Sequence, residues 1–439
     1  MKVQLLKYWE RVHSSFWFVP AILAVGATAL ATAAVALDEQ AADTLRKWTW
    51  LYGGGAEGAS AVLQTIAGSM ITIAGVVFSM TLVALTLASA QFGPRLLRNF
   101  MRDTANQLVL GVFVATFIYC LLVLRTIRRA DEVAFVPHFS VSLGVLFALV
   151  SMAVLIYFIH HVSISIQADE VVARVAGELD HAMNRLFPEH GADEDMAVGD
   201  GRDRELFAAL EDQAGPIEAP QDGYLQFIDI ESLLSTAVKH DLVLQVLQRP
   251  GQYVTAHRPL LLVAPGVRLN EEVKAAVLKA VVVGNQRTPS QDLEFAISQL
   301  VELAVRALSP GINDPFTAIR CADRLGSALF RLGQRPPPSP YRRDRNKTLR
   351  VVAPPVSFSE VLDASFTQIR QNAERSAAVT IRLLEVLTIV AESATRLEDQ
   401  KAVLTHARLV ASAALSGLSE EADRAVVHER LEALVRKLD

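Results

Sequence analysis

Residues Val62 to Leu87 read VLQTIAGSMITIAGVVFSMTLVALTL and contain no Asp, Glu, Lys or Arg. A helix of roughly 20 apolar residues crosses the ~30 Å hydrocarbon layer of a bilayer, so this stretch is long enough to span a membrane. It forms the centre of a longer charge-free run, residues 58–94. That run would make a helix of about 55 Å at ~1.5 Å per residue. The sequence therefore predicts a long spanning helix that tilts strongly or projects beyond the lipid.

Three more runs without charged side chains accompany it, at residues 12–37, 104–124 and 133–168. The predicted spans cover about 16–37, 62–87, 108–124 and 139–159. The first run follows three basic residues, as in a secretory signal, but it is too long for one and three more spans follow. We therefore predict an uncleaved first helix. The absence of charge from all four predicted cores argues against a proton-coupled transporter.

Charge divides the chain near residue 168. Residues 1–168 carry 11 Lys and Arg with 8 Asp and Glu, whereas residues 169–439 carry 31 and 39. The averages of 51% hydrophobic and 20% charged residues therefore combine a membrane part with a water-soluble part. This division excludes a uniform globular enzyme and a disordered polyelectrolyte. Neither part is strongly basic, so we predict no nucleic-acid partner.

The predicted fold is an α-helical bundle of four transmembrane helices followed by a cytoplasmic α+β domain with a small β module and a helical C-terminal region. A strand, a helix and two more strands are predicted between residues 223 and 265. The predicted domains are a transmembrane domain (1–168), a juxtamembrane helix and acidic linker (169–222), a small β-rich module (223–265), a helical module (266–334), a Pro-rich and basic linker (335–356) and C-terminal helices (357–439).

The juxtamembrane helix carries a short heptad-like seam of Val172, Val175, Leu179, Ala182 and Leu186. Two interpretations stay open for this seam: an oligomer stalk, or packing on the helix's own domain. The acidic residues that follow it do not have the spacing of a twelve-residue calcium loop.

Small and polar residues recur along one face of the second span. They are Gly68, Thr72, Gly75, Ser79, Thr86, Ser89 and Gly93. One interpretation is close helix packing, because small residues let two backbones approach each other. The other is the wall of a hydroxyl-lined pore. Both interpretations require a neighbour on that face.

Two basic clusters flank the third span. They are Arg95, Arg98 and Arg102 before it and Arg125, Arg128 and Arg129 after it. Basic pore mouths would favour anions, and the alternative is that these side chains reach lipid phosphates.

Counting basic residues in the short loops gives a weak bias that places both termini in the cytoplasm. His160 and His161 end the fourth span, either as a pH sensor or as solvated side chains.

The segment ALSPGINDPFTA, residues 307–318, reads as the end of one helix and the start of the next. Pro310 and Gly311 end the first helix, and Asp314 with Pro315 begins the second. A polar cytoplasmic site is the alternative to simple capping. Its candidate residues are Asp292, Glu294, Arg306, Asn313, Asp314 and Arg320.

The sequence contains no pattern that predicts catalytic residues, a bound metal or a cofactor. The β-rich module resembles biotinyl or lipoyl carrier modules but lacks their carrier lysine. Zinc spacing, a phosphate loop and a Gly-x-Ser-x-Gly elbow are also missing from the sequence. Cys120 and Cys321 are not expected to pair.

Three segments resemble a known family. They are Gly68–Arg98, Phe158–His161 and Ala307–Pro315, which reads ALSPGINDP. They are similar to bacterial predicted membrane proteins that are known only as a domain of unknown function. The resemblance implies an inner-membrane protein with four spans and a cytoplasmic C-terminal part. It implies no activity and no functional residues.

These observations favour a multi-pass protein of the bacterial inner membrane that acts as an oligomeric, anion-favouring channel or pore with a cytoplasmic regulatory domain. One alternative is a membrane-anchored sensor or scaffold that binds a cytoplasmic partner, and another is a membrane enzyme. The expected partners are the lipid bilayer, further copies of this chain, and an ion or small ligand.

Overall fold

The computed structural model describes residues 17–40, 51–93, 103–128, 135–188 and 213–438. The chain divides into two compact units, and the boundary lies between Glu170 and Val171. We call them the membrane unit (residues 1–170) and the C-terminal unit (residues 171–439), and each is described by itself.

The described residues of the membrane unit contain four long apolar helices. They are α1 (Phe18–Gln40), α2 (Ala56–Phe92), α3 (Thr104–Leu124) and α4 (His138–Ser165). Their most apolar windows have mean hydropathies between 2.0 and 2.5, and each helix is long enough to cross the ~30 Å hydrocarbon layer. The four predicted spans are confirmed. Helix α2 has 37 residues, as the charge-free run around it leads one to expect.

Helix α3 lies at the centre of the membrane unit and packs against the other three helices. Half of its most apolar window is buried, against 17–22% in α1, α2 and α4. Phe113 and Tyr119 are fully buried in two clusters along it. At Gly111 an added Cβ would lie 2.6 Å from Leu23 Cδ1, so the glycine permits α1 to approach α3 closely.

Two carboxylates tie α4 to its neighbours, one at each end. Asp38, on α1, accepts hydrogen bonds from the backbone N–H groups of Phe139 and Ser140 at 2.9 Å and from Ser140 Oγ at 2.6 Å. It thereby caps the start of α4. At the other end Asp103, which begins α3, lies 2.7 Å from His161 Nε2. Asp38 directly follows the predicted core of the first span, and the sequence did not indicate its burial.

The C-terminal unit begins along α5 (Ala168–Leu186) and contains two small sheets. The strands are β1 (Gly215–Glu218), β2 (Gly223–Ile228), β3 (Val243–Val246), β4 (Tyr253–Val254), β5 (Pro259–Ala264), β6 (Val281–Gly284), β7 (Tyr341–Arg343) and β8 (Leu349–Val352). One sheet has the order β1-β5-β3-β8-β7 and the other β4-β2-β6. All described neighbours are antiparallel except β3 and β8, which run parallel.

In the described residues after α5, two short helices cover the sheets and six longer helices also occur. They are α6 (Ile230–His240), α7 (Glu271–Lys279), α8 (Leu293–Ala307), α9 (Pro315–Gly333), α10 (Phe358–Ala373), α11 (Ala377–Ser393), α12 (Leu397–Gly417) and α13 (Glu421–Leu438). Leu233 of α6 and Val273 of α7 are fully buried against Leu244 and Leu261 of the larger sheet. The predicted α+β class, with small sheets and a helical C-terminal region, is confirmed.

Several strands of the two sheets lie outside residues 223–265, the range of the predicted β-rich module. In particular, β7 and β8 lie inside the segment 335–356, where the sequence predicts a linker. Leu349 and Val351 are buried, with 2% and 0% exposure, while Arg350 between them binds Asp344 and Asp241. The alternation spans only four residues, and the partner strand β3 lies about 100 residues away in the sequence, so local patterning did not reveal this strand.

The seam of α5 packs inside the C-terminal unit. Val172, Val175 and Leu179 are each at most 2% exposed. Leu179 shares the wall of a small cavity with Ile297 of α8 and Leu329 of α9. Of the two interpretations left open by the sequence, packing on the helix's own domain therefore accounts for these residues.

Candidate functional site

The six residues of the candidate polar site lie at two different ends of α8. Asp292 caps the start of this helix by accepting a hydrogen bond from the Phe295 N–H at 3.1 Å, and Glu294 lies in its first turn. Arg306 lies in its last turn. Fourteen steps of ~1.5 Å separate Asp292 from Arg306, which is about 20 Å. A single small ligand would not contact both ends.

Beyond the other end of α8, Asn313 and Asp314 lie in the connection to α9, and Arg320 lies on α9. Asn313 has a φ of 49°, a left-handed conformation that asparagine tolerates better than most residues. Asp314 accepts hydrogen bonds from the Thr317 N–H at 3.1 Å and Thr317 Oγ1 at 2.5 Å. Although burial raises the pKa of Asp314, these bonds and the nearby Arg320 charge hold it below its usual value. Capping of α9 accounts for this carboxylate.

The small and polar face of α2 points away from the other helices of the membrane unit. Gly68, Thr72, Gly75, Ser79 and Thr86 are exposed, Ser89 is half-buried and Gly93 is buried. An added Cβ at Gly68 or Gly75 would meet nothing within 4 Å. The Thr72 hydroxyl donates to the Gly68 carbonyl at 2.9 Å. This face therefore carries small side chains and locally bonded hydroxyls, and no described helix of the same chain covers it.

Only part of the two basic clusters is described. Arg125 and Arg128 follow the end of α3 and are exposed. Arg95, Arg98, Arg102 and Arg129 lie outside the described residues. Of the two histidines at the end of α4, His160 is exposed and His161 contacts Asp103.

The C-terminal unit contains a cavity of about 210 Å³ where α5, β3, β7 and the start of α8 come together. Its wall is mostly apolar and is formed by Leu186, Phe187, Ile228, Ile230, Val246, Arg249, Pro250, Gln252, Gln291, Asp292, Leu293, Glu294, Pro338, Arg342, Ala353, Pro354, Pro355 and Val356. We call it the Arg342 cavity. The Gln291 side chain holds the end of β2 in this wall by hydrogen bonds of 2.9 and 3.0 Å to the Ile228 backbone.

Two of the charged side chains in this wall are engaged in close ion pairs. Arg249 donates to both carboxylate oxygens of Glu360 at 2.6 and 2.8 Å, which lowers the pKa of Glu360 to about 2. Asp292 accepts two bonds of 2.7 Å from Arg287. The carboxylates of Glu360 and Asp292 are therefore each already bound by a guanidinium group. Within the described ranges, no group of three or more His, Cys, Asp or Glu side chains is placed to hold a metal ion.

Arg342 differs from these paired residues. It is half-buried, and burial lowers the pKa of its guanidinium. Its Nη1 donates to the Ser339 carbonyl at 2.6 Å, and across the described part of the chain it forms no ion pair. Sequence reasoning placed Arg342 only in a basic linker. Arg342 reaches the cavity because it lies on strand β7, and the sequence did not predict this strand.

Comparisons with known proteins match most of the chain to a family of predicted membrane proteins and to uncharacterised mycobacterial proteins. The sequence profile of a family described as "Predicted membrane protein (DUF2254)" matches residues 13–388. The uncharacterized proteins Mb1321c of Mycobacterium bovis and Rv1290c of Mycobacterium tuberculosis are each 35% identical in an alignment of 388 residues that covers 86% of this chain and 72% of theirs. No solved structure matches the chain.

Proposed function

The chain belongs to the DUF2254 family of predicted membrane proteins, and from this premise we propose that it is a homo-oligomeric channel or pore of the bacterial inner membrane. In this proposal the C-terminal unit is a cytoplasmic regulatory domain. The two relatives named above are described as uncharacterized, so the proposal rests on the geometry of the chain itself.

The uncovered face of α2 carries the proposal. At 100° per residue, Gly68, Thr72, Gly75, Ser79 and Thr86 lie on one side of the helix. The residues that pack into the subunit, such as Met70 and Val77, lie on the other side. Small side chains offer lipid little contact area, whereas they let helices of neighbouring copies approach. Copies arranged around this face would surround a path lined by hydroxyl groups and backbone.

The proposed anion preference comes from the ends of the third span. Arg125 and Arg128 are exposed next to the end of α3. Guanidinium groups at a pore mouth raise the local concentration of anions and repel cations. The absence of Asp, Glu, Lys and Arg from the predicted cores also fits passive conduction better than proton coupling.

The direct test is ion flux through the purified full-length chain in liposomes. We expect chloride flux that exceeds potassium flux. A cysteine at Ser79 should react with a membrane-impermeant thiol reagent and reduce the flux, while a cysteine at the buried Val77 should do neither. If no conductance appears under any pH, voltage or osmotic gradient, and the cysteine at Ser79 stays unreactive, the channel proposal is rejected.

A second candidate function is that of a membrane-anchored sensor, which the Arg342 cavity favours. A sensor binds a ligand and responds with a change in conformation or partner, and neither step needs conduction. Ligand binding by the reconstituted protein without ion flux would favour this function over the channel.

A further inference from the structure

We propose that the Arg342 cavity binds a small monocarboxylate that has an apolar body. The site belongs to the C-terminal unit alone. This inference deepens the sensor function, on which its biological role rests, but binding itself requires neither conduction nor a partner protein.

The size of the cavity limits the ligand. Its volume is about 210 Å³. Pockets for drug-sized ligands typically measure about 300–1,000 Å³. The part of the ligand that enters the cavity is therefore smaller than a typical drug-sized molecule.

The apolar part of the wall selects the body of the ligand. Val246 and Leu293 line the cavity but are themselves buried, with 3% and 4% exposure. The partly exposed residues Ile230, Pro355 and Val356 supply apolar surface that water can reach. A short alkyl chain or one aromatic ring would remove this surface from water, which is favourable by about 25 cal/mol per Å² of apolar area.

The charge of the ligand follows from Arg342. Arg249 and Asp292 already have close partners of opposite charge at 2.6–2.8 Å. The Arg342 guanidinium has five N–H donors, and its bond to the Ser339 carbonyl uses one. A half-buried guanidinium loses hydration that an anion can replace. A carboxylate matches the planar fork of the guanidinium with two parallel hydrogen bonds.

Glu294 limits the ligand to one negative charge. Its carboxylate also lines the cavity and lies 3.7 Å from its nearest cation, Arg287, which is longer than the bonds that Arg287 makes to Asp292. A second anionic group would enter the field of this carboxylate and be repelled. A monocarboxylate is therefore favoured over a dicarboxylate or a phosphate that carries two charges.

The test uses the full-length chain in lipid nanodiscs, with benzoate and hexanoate as probes and calorimetry as the readout. Benzamide and hexanamide have the same shapes without the charge, and adipate carries a second carboxylate. We expect both monocarboxylates to bind, and the amides and adipate to bind at least about tenfold more weakly. Equal affinity for amides and acids, or no binding of either acid, overturns the proposal.

Variants identify the residue that binds the carboxylate. Arg342→Gln should weaken benzoate binding by about tenfold or more, whereas Arg345→Gln, an equal change of charge at an exposed position of the next turn, should leave it unchanged. Glu294→Gln should strengthen adipate binding, a gain that misfolding does not produce. Unchanged benzoate binding in R342Q, or adipate binding that does not improve in E294Q, contradicts the assignment.

Discussion

Gly251 illustrates how single residues shape the wall of the Arg342 cavity. It has a φ of 97°, a conformation that residues with a side chain rarely adopt. An added Cβ would lie 2.4 Å from the Asp292 carboxylate, which is itself held by Arg287. The turn after β3 can therefore rest on the start of α8 only with glycine at this position.

Gly251→Ala should destabilise the C-terminal unit by about 1–3 kcal/mol, because it adds backbone strain and displaces a paired carboxylate. The measurement is the free energy of unfolding of the full-length protein in nanodiscs. Gly311→Ala is the matched control, since an added Cβ there meets nothing within 4 Å. Equal stability of the two variants would show that the close approach at Gly251 is unimportant.

Glu360 makes stability depend on pH in a defined direction. Its hydrogen bonds with Arg249 lower its pKa from 4.5 to about 2 in the folded protein. A lowered pKa stabilises the fold above the unfolded value of 4.5, and this contribution disappears as the pH falls towards 2.

Glu360→Gln should therefore lower the melting temperature at pH 7 and have progressively less effect as the pH falls from about 5 to about 2. Because the Glu360 side chain is 44% exposed, solvent screening keeps the effect modest. Melting curves of the wild type and the variant across this range provide the measurement. A difference that stays constant with pH would contradict the ion pair.

At the scale of elements, the sequence indicated the helices far better than the strands. The four spans were predicted from long runs without charged residues. Such runs are easy to recognise because a charged side chain is costly at any position of a helix inside the hydrocarbon layer. Strands β7 and β8 are short and carry Arg342, Arg343 and Arg350, so their composition resembles that of a basic loop. β7 pairs with β8, and β8 pairs in turn with β3, which no local window around residues 341–352 contains.

The candidate site was predictable to the same limited extent. The sequence predicted that Asp314 begins a helix, whereas it offered Asp292 only as a candidate residue of a polar site, and the capping of α8 by Asp292 is seen in the structure. Their separation by the length of α8 required the helix boundaries. Arg342 enters the cavity only because a strand carries it there, so no spacing rule in the sequence could connect it to Val246 or Glu294.

Hydrogen exchange can distinguish a strand from a linker at residues 349–352. We expect slow exchange of the β8 amides, because β8 lies between β3 and β7 in the sheet. The turn at residues 345–348, which is exposed, serves as an internal control and should exchange quickly. Fast exchange throughout 341–352 would mean that the sheet ends at β3.

On the scale of the whole molecule, the assembly of several copies is the property that the α2 face predicts. Ser79→Cys should form disulfide-linked dimers when membranes are oxidised, because the small face meets its counterpart in another copy. Val77→Cys on the opposite side should not. Cys120 and Cys321 are buried, and burial raises the pKa of the Cys321 thiol to about 12, so neither native cysteine should react.

If Ser79→Cys and Val77→Cys both stay monomeric under strong oxidation, the small face of α2 does not contact another copy. That result would contradict both the channel and the close packing of α2 between copies. Dimers from both would indicate random collisions in the membrane. The expected pattern, with cross-linking at Ser79 alone, supports an interface without deciding whether it contains water. The flux measurement decides that point.

The predicted orientation is a further property of the whole chain. With both termini in the cytoplasm, a fluorescent protein fused after Asp439 should fluoresce and an alkaline phosphatase fused there should be inactive. The bias in basic residues that supports this orientation is small. The opposite result would place the Arg342 cavity outside the cytoplasm and change the source of its ligand.

The buried carboxylate of Asp38 has a consequence for biogenesis. The groups that donate to it belong to Phe139 and Ser140, about 100 residues later in the chain. During synthesis the first span therefore enters the bilayer well before these donors have left the ribosome. Asp38 can therefore pair with the start of the fourth span only after the second and third spans have been made, so the contact that satisfies this buried carboxylate forms late in synthesis.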